Sequence, residues 1–539
     1  MEMDQPVGND GGDVGGAGHG GGRGEAVQCR IADEEFEALL RERLAPLQRL
    51  LACVLDLRGG EAVATRRMIG HLLLESALTE ALLDEYGAGL NRRWHRFREL
   101  MAALKSFAGV AQGIAHLDRR LPAYRLIAVE GDFARATRHH LDLVWRVLRR
   151  VATSLLDEAR ALGVATPVAE ATCADFGERY PPGRLPRDLA DRLPRSDAAA
   201  TITRLATEFL NLEARGEFLH DAARVAPAEY AECFPRPINE ERLRALTFRF
   251  HNLQSLYDTH VAGTSTERAD DKLGVLRGHA SVILHLLRIA TDLAHYHERH
   301  IHPFRGDPAR DELAAMETTI VLDTLFAYAA AYASAYLEQG QRLCHDILRG
   351  YAEIGRVEVP VPAYRGFHVR PSNLVARIVR HYGSEVRMEL DGQSFDAASP
   401  LNLFRANEDI NARKRRWLCA ELARVVPPGE PDRPEAIAAA VEALLARLAG
   451  EGRIVIYRLP LQLSPEAGRR DGGVLGNAVA EIAHLQASGQ LDIRTDLTVA
   501  FVGDRRVLAD LDILARHGYG EDAFGNNVVL PAELSYLKR

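Results

Sequence analysis

The sequence predicts a multidomain α plus α/β protein, with helical bundles over its N-terminal two-thirds, then an α/β sandwich and a small α/β C-terminal region. Three observations predict it. Apolar residues recur at three- and four-residue spacing through most of residues 33–355. Alternating, strand-like runs enter only from Val357 onward. At 539 residues the chain exceeds what one core accommodates.

Residues 1–28 are so rich in glycine that they cannot bury enough surface to offset chain entropy, so a disordered tail is expected there. Residues 29–163 read as a helical bundle. Asp33, Glu34 and Glu35 make an acidic first turn ahead of Phe36, Leu39, Leu40, Leu44 and Leu47. Further helices are expected near 61–86, 90–117 and 132–162. Prolines then interrupt 164–237, leaving one helix near 196–223 in an irregular linker. A second bundle, 238–355, has helices at 238–260, 270–301, 309–339 and 340–355. Leu273, Leu276, Ala280, Ile283, Leu287, Ala290 and Ala294 form its seam.

After 356 the pattern changes. Val357–Val361 alternates as a strand and leads to Gly366-Phe367-His368-Val369-Arg370-Pro371-Ser372, where Pro371 suits a first helical position. Leu374, Val375, Ile378 and Val379 continue that helix with one buried face. Ser384–Leu390 and Gln393–Ala397 flank Asp391-Gly392, a strong hairpin signal, and Ser399–Phe404 reads as a short helix. A charged helix at 409–425, a Pro-rich loop 426–434 and a helix 434–448 interrupt the pattern.

These motifs resemble HPr, the histidine phosphocarrier of the bacterial sugar phosphotransferase system, over residues 357–406. Ser399 lies 31 positions after His368, the separation of the family's active-site histidine and regulatory serine. Phe367, Val369, Asn373 and Pro400 depart from the residues usual in the family. The resemblance implies an open-faced α/β sandwich over 356–490, with an insertion at 407–450. Two continuations are open: helix 434–448 is the family's last helix with its strand lost, or Arg453–Tyr457 is that strand with helix 474–487 behind it. The second leaves no sheet edge uncovered and is preferred. Residues 491–539, with a strand at 497–502 and a helix at 505–516, then form a separate small α/β region.

By resemblance, His368 accepts a phosphoryl group on Nδ1 and Arg370 holds its oxygens, with Ser399 a candidate regulatory phosphorylation site. A neutral imidazole is a good nucleophile, guanidinium forks match phosphate oxygens, and a helix N-terminus adds a positive field. No Asp, Glu or Cys lies within 364–373 to activate water against the cargo. The implied partners are phosphotransferase-system proteins such as the general phosphoryl donor enzyme, and a protein acceptor that the sequence does not identify. If active, such a chain is a phosphocarrier with a phosphohistidine intermediate and not a classical turnover enzyme. The competing reading is a non-catalytic interaction protein on a relic HPr-like scaffold.

His295, His297, His300 and His302 form the densest histidine cluster. Without a His-x-x-x-His pair, its spacing suits a helix C-terminus better than a metal site. No cofactor is expected. The six cysteines lack any CxxC pair. A net charge of −8 gives no electrostatic reason for nucleic-acid binding. The longest apolar stretch, the Ala/Tyr-rich 325–337, is short for a membrane span, and the N-terminus lacks a signal pattern, so a cytoplasmic location without membrane insertion is expected.

Overall fold

The computed structural model describes residues 30–56, 65–166, 176, 185, 197–301, 308–424, 433–462, 464, 473–494 and 496–537. The glycine-rich tail 1–28, much of the Pro-rich stretch, the 426–432 loop, His302, Cys29 and Cys173 lie outside them. Most of the chain is helical, with a small sheet region near the C-terminus.

Four long helices come first: α1 (Asp33–Asp56), α2 (Arg66–Glu85), α3 (His95–Arg120) and α4 (Phe133–Ala161). Thr65 and Asp132 cap α2 and α4 by accepting from the Met68 and Arg135 N–H groups. Then follow α5 (Ala198–Arg215), α6 (Glu217–Ala223), α7 (Tyr230–Cys233), α8 (Glu240–His260), α9 (Ser265–Ala269) and α10 (Asp271–His300). The expected helices at 309–339 and 340–355 are one nearly continuous rod instead. It runs through α11 (Pro308–Asp323), a π-helical segment Thr324–Ala330 and α12 (Ala331–Gly350).

The two expected bundles are not separate. α10 packs on α3, α8 and α12, and α5, foreseen as a linker helix, packs on α12 and α8. One continuous buried cluster runs from Phe36 to Leu537 and takes in the sheet region. The physical reason is that α10 is apolar well beyond the foreseen seam: Val282, Leu284, Leu286 and Ile289 are buried too. Close approach is enforced at Gly340, where an added Cβ would stand 2.2 Å from the Phe209 ring.

By length and composition, three helical stretches are apolar enough to cross a membrane: His95–Ala123, Asp271–His300 and Leu313–Gly350. In this fold 67, 72 and 67 % of their most apolar windows are buried against the rest of the protein.

The sheet region begins with β1 (Ile354–Pro360), α13 (Val369–Tyr382), β2 (Val386–Leu390) and β3 (Gln393–Asp396). Asp391 and Gly392, both at positive φ, make the tight turn between β2 and β3. Next come α14 (Pro400–Leu422), α15 (Pro434–Gly450), β4 (Ile454–Ile456), α16 (Gly473–Ala487), β5 (Leu491–Ile493), β6 (Thr498–Asp504) and α17 (Arg505–Arg516). The four-stranded antiparallel sheet has the order β1-β6-β2-β3. α17 lies over β1 and β6, and α13 packs beside it. The opposite face presents Arg356, paired with Glu389, to solvent.

The strand that completes this sheet is β6, not Arg453–Tyr457. Ile454–Ile456 pairs with Leu491–Ile493 in a two-stranded sheet of its own. β6 pairs with both β1 and β2, and its Val499, Ala500 and Phe501 are all buried. The interruption therefore runs to about residue 497, well past 450. Its helices and β4–β5 enclose a second small core of Leu418, Ile437, Val441, Leu444, Ile482 and Leu491, among others. Residues 498–516 belong to the main sheet and not to a separate C-terminal region.

Candidate functional site

The chain leaves β1 and turns back on itself through Arg365 and Gly366, both at positive φ. Gly366 is required twice over, because its φ is +64° and an added Cβ would stand 2.1 Å from Asn407 Oδ1. Asn407, on α14, closes the turn. Its Oδ1 accepts from the Phe367 N–H at 2.9 Å, and its Nδ2 donates to the Arg365 carbonyl at 3.1 Å. Phe367 is fully buried beside the Tyr519 and Phe501 rings. Asn407→Ala would leave the buried Phe367 N–H unsatisfied, so a loss of about 1–3 kcal/mol is expected in urea unfolding.

The inserted lobe supplies a second clamp. Asp492 on β5 accepts the Arg365 N–H at 3.0 Å and, at 3.0 Å through each oxygen, meets the buried Lys414 ammonium of α14. Residues 407–493, an interruption in the sequence pattern, thus hold the loop.

His368 sits at the N-cap of α13. The helix opens at Val369, so Pro371 is its third residue, where its missing N–H is still among those without an intrahelical partner. The ring is partly open, with 24 % of the side chain exposed. Its Nδ1 lies 3.1 Å from the Gly366 carbonyl, an atom that can only accept, so Nδ1 carries the proton there. Its Nε2 lies 3.1 Å from Glu521 Oε2, an oxygen with no aligned hydrogen bond. Tyr364 packs edge-on against the ring at 5.3 Å.

Arg370 is turned toward the same acid, its Nη1 3.7 Å from Glu521 Oε1, and it donates to Asn527 Oδ1. One buried carboxylate thus stands between His368 and Arg370. Sequence distance hid it, since the acid-free window 364–373 contains no hint of a partner 153 positions downstream. Glu521 belongs to a strap, residues 518–528, that arches over the loop. Val528 N–H donates to the Gly520 carbonyl, Glu521 bridges Asn527, and Asp522 accepts from the Phe524 and Asn526 N–H groups. Gly525 lies against the Tyr364 ring, where an added Cβ would stand 2.7 Å from it.

Ser399 is the N-cap of α14, its Oγ accepting from the Asn402 N–H at 3.4 Å. Of the helical histidines, His295 and His300 lie ring to edge at 5.8 Å while each also has a partner of its own. His295 Nδ1 meets Glu240 Oε2 at 3.1 Å, His297 packs on Phe234, and His300 stacks on Tyr296. Among the described residues no group of three or more His, Cys, Asp or Glu side chains is placed to hold a metal ion. Among the described residues Cys233, Cys344 and Cys419 are free thiols.

Comparison with family models, curated proteins and solved structures finds no match to this chain.

Proposed function

We propose that His368 is the phosphoryl acceptor of a phosphorelay or regulatory module built on an HPr-like sandwich. The observation that carries this reading is the placement of His368 and Arg370 together at the opening of α13, on a four-stranded antiparallel sheet covered by helices on one face. An open-faced sandwich is what the sequence resemblance implies, and a sheet with helices on one face supports that reading.

The chemistry asks for one rearrangement. To attack phosphorus, Nδ1 must give up its contact with the Gly366 carbonyl and its proton, which moves to Nε2 beside the Glu521 carboxylate; the N–P bond then forms as the donor's bond to phosphorus breaks. The Val369 and Arg370 N–H groups, which precede the first intrahelical bond from Ser372 to His368, can meet the phosphoryl oxygens, with the Arg370 guanidinium adding its fork. A phosphoryl group brings about two negative charges beside Glu521. Like charges at that range repel, so phosphorylation moves the strap and presents a different surface to a partner.

A second reading, a docking module that transfers nothing, is favoured by one observation. Nδ1 and the guanidinium are both already engaged by the protein's own groups.

Incubation with phosphoenolpyruvate and the general phosphoryl donor enzyme of the phosphotransferase system tests the first reading. Acid-labile label that His368→Ala removes is expected. Absence of such label on the wild-type chain ends the carrier reading and leaves the docking one. Glu521→Gln, which removes the opposing charge, should label about fivefold faster, the equivalent of roughly 1 kcal/mol in the barrier.

A further inference from the structure

α10 carries a second periodicity that the apolar seam conceals. Arg277, Ser281, His285, Arg288 and Asp292 repeat at three- and four-residue spacing down a helix whose other faces are buried. On α3, Gln112, His116, Arg119 and Arg120 do the same. The two polar stripes face one cavity of about 690 Å³, lined also by Arg66 at the start of α2 and by Gln254 of α8. The helices meet closely beneath it: a Cβ on Gly113 would stand 2.9 Å from the Ile289 side chain. The cavity is open to solvent at Gln112, Arg119, Arg120, Arg288 and Asp292 and half-buried at His116, Arg277 and His285, so a ligand can enter between the two stripes.

The charge in this cavity is one-sided. Five arginines line it against a single acid, Asp292, in a chain whose net charge is −8. Arg277 is committed to Asp258 by two bonds of 2.9 and 3.0 Å. Among the described residues Arg66, Arg120 and Arg288 have no ion-pair partner. The His116 and His285 rings lie 4.4 Å apart between them. Burial first, then nearby arginines for His116 and the His116 ring followed by arginines for His285, hold both imidazoles below their ordinary range, His285 at about 4. Near neutral pH they are therefore uncharged, each keeping an N–H to donate.

We infer that this cavity binds a small molecule bearing two or more phosphate groups. Guanidinium forks satisfy phosphate oxygens two at a time, and the three arginines without an ion-pair partner, Arg66, Arg120 and Arg288, exceed what a monoanion can neutralise. Neutral imidazoles add donors without adding charge. A cavity recessed between helices excludes a duplex or a membrane surface. Asp292, exposed at the rim, is placed to accept from a hydroxyl or amine on a ligand that extends beyond its phosphates.

The test is isothermal titration of the full-length chain with inorganic pyrophosphate, and with inorganic phosphate and sulfate as weaker anions. Pyrophosphate should bind at least tenfold more tightly than either. Arg120→Ala and Arg288→Ala, at exposed positions that leave the cores intact, should each weaken it by about tenfold. Arg370→Ala should leave it unchanged, which separates this cavity from the His368 loop. No pyrophosphate binding, equal binding of all three anions, or binding insensitive to both cavity variants but lost in Arg370→Ala would each overturn the assignment. Circular dichroism of each variant confirms that the fold is retained.

Discussion

Lys414→Ala should cost the folded chain about 3–5 kcal/mol, a large share of the stability of an ordinary domain. Lys414 is one of four lysines in the chain, and only 3 % of its side chain is exposed. It faces Asp492, equally buried, with both carboxylate oxygens at 3.0 Å. Removing the ammonium leaves the carboxylate with neutral donors alone, the Arg365 and Ile493 N–H groups and the Gln486 amide. A stranded internal charge is far more destabilising than the pair is stabilising. The loss should be read as a lower urea midpoint. Because Asp492 also anchors Arg365, labelling of His368 should fall with it. A change under 1 kcal/mol would mean that water reaches Asp492 and that the lobe is not clamped to the loop.

The second large effect is with acid. His381, at the end of α13, stacks on Tyr536 at 4.0 Å and contacts Asn211 Oδ1 at 3.1 Å. Burial pushes its imidazole down to about 3, with His345 adding to the shift. His140, buried against Tyr328 and near Thr324, is held at about 4, again chiefly by burial. The unfolded chain binds these protons near pH 6.5 and the folded chain does not, so their contribution is complete above about pH 6.5. It is lost progressively as pH falls toward 3 to 4. At pH 5 the loss is roughly 2 kcal/mol for each, or about 4 kcal/mol together. Urea unfolding at pH 7.5 and pH 5 should show it, and His381→Gln should reduce the difference by about 2 kcal/mol. An unchanged midpoint between the two pH values would rule out neutral burial of both rings.

The helices were legible because each carries a long apolar stripe, and α1, α4 and α10 lie within a few residues of their expected positions. The loop at His368 was legible because strand, glycine and helix start are local signals. What could not be read was distance. Glu521 reaches His368 from a strap with little apolar pattern of its own, and Asn407 and Asp492 act across turns that leave no periodic trace. β6 was seen as a strand but assigned elsewhere, because about a hundred residues separate it from β3 and a nearer apolar run, Ile454–Ile456, offered itself. The polar stripe of α10 was in plain view at helical spacing, yet its meaning depends on α3 lying opposite.

The position of β6 also bears on how this chain is made. β1 and β2 do not pair with each other; β6 lies between them, and it leaves the ribosome about a hundred residues after β3. At ordinary elongation rates that is an interval of about 5–20 s. Throughout it, two nascent strand edges are without their native neighbour, a standing invitation to pair with another chain. The inserted lobe is being synthesised during the same interval, and its own small core lets it collapse independently before β6 arrives to join the two halves of the sheet.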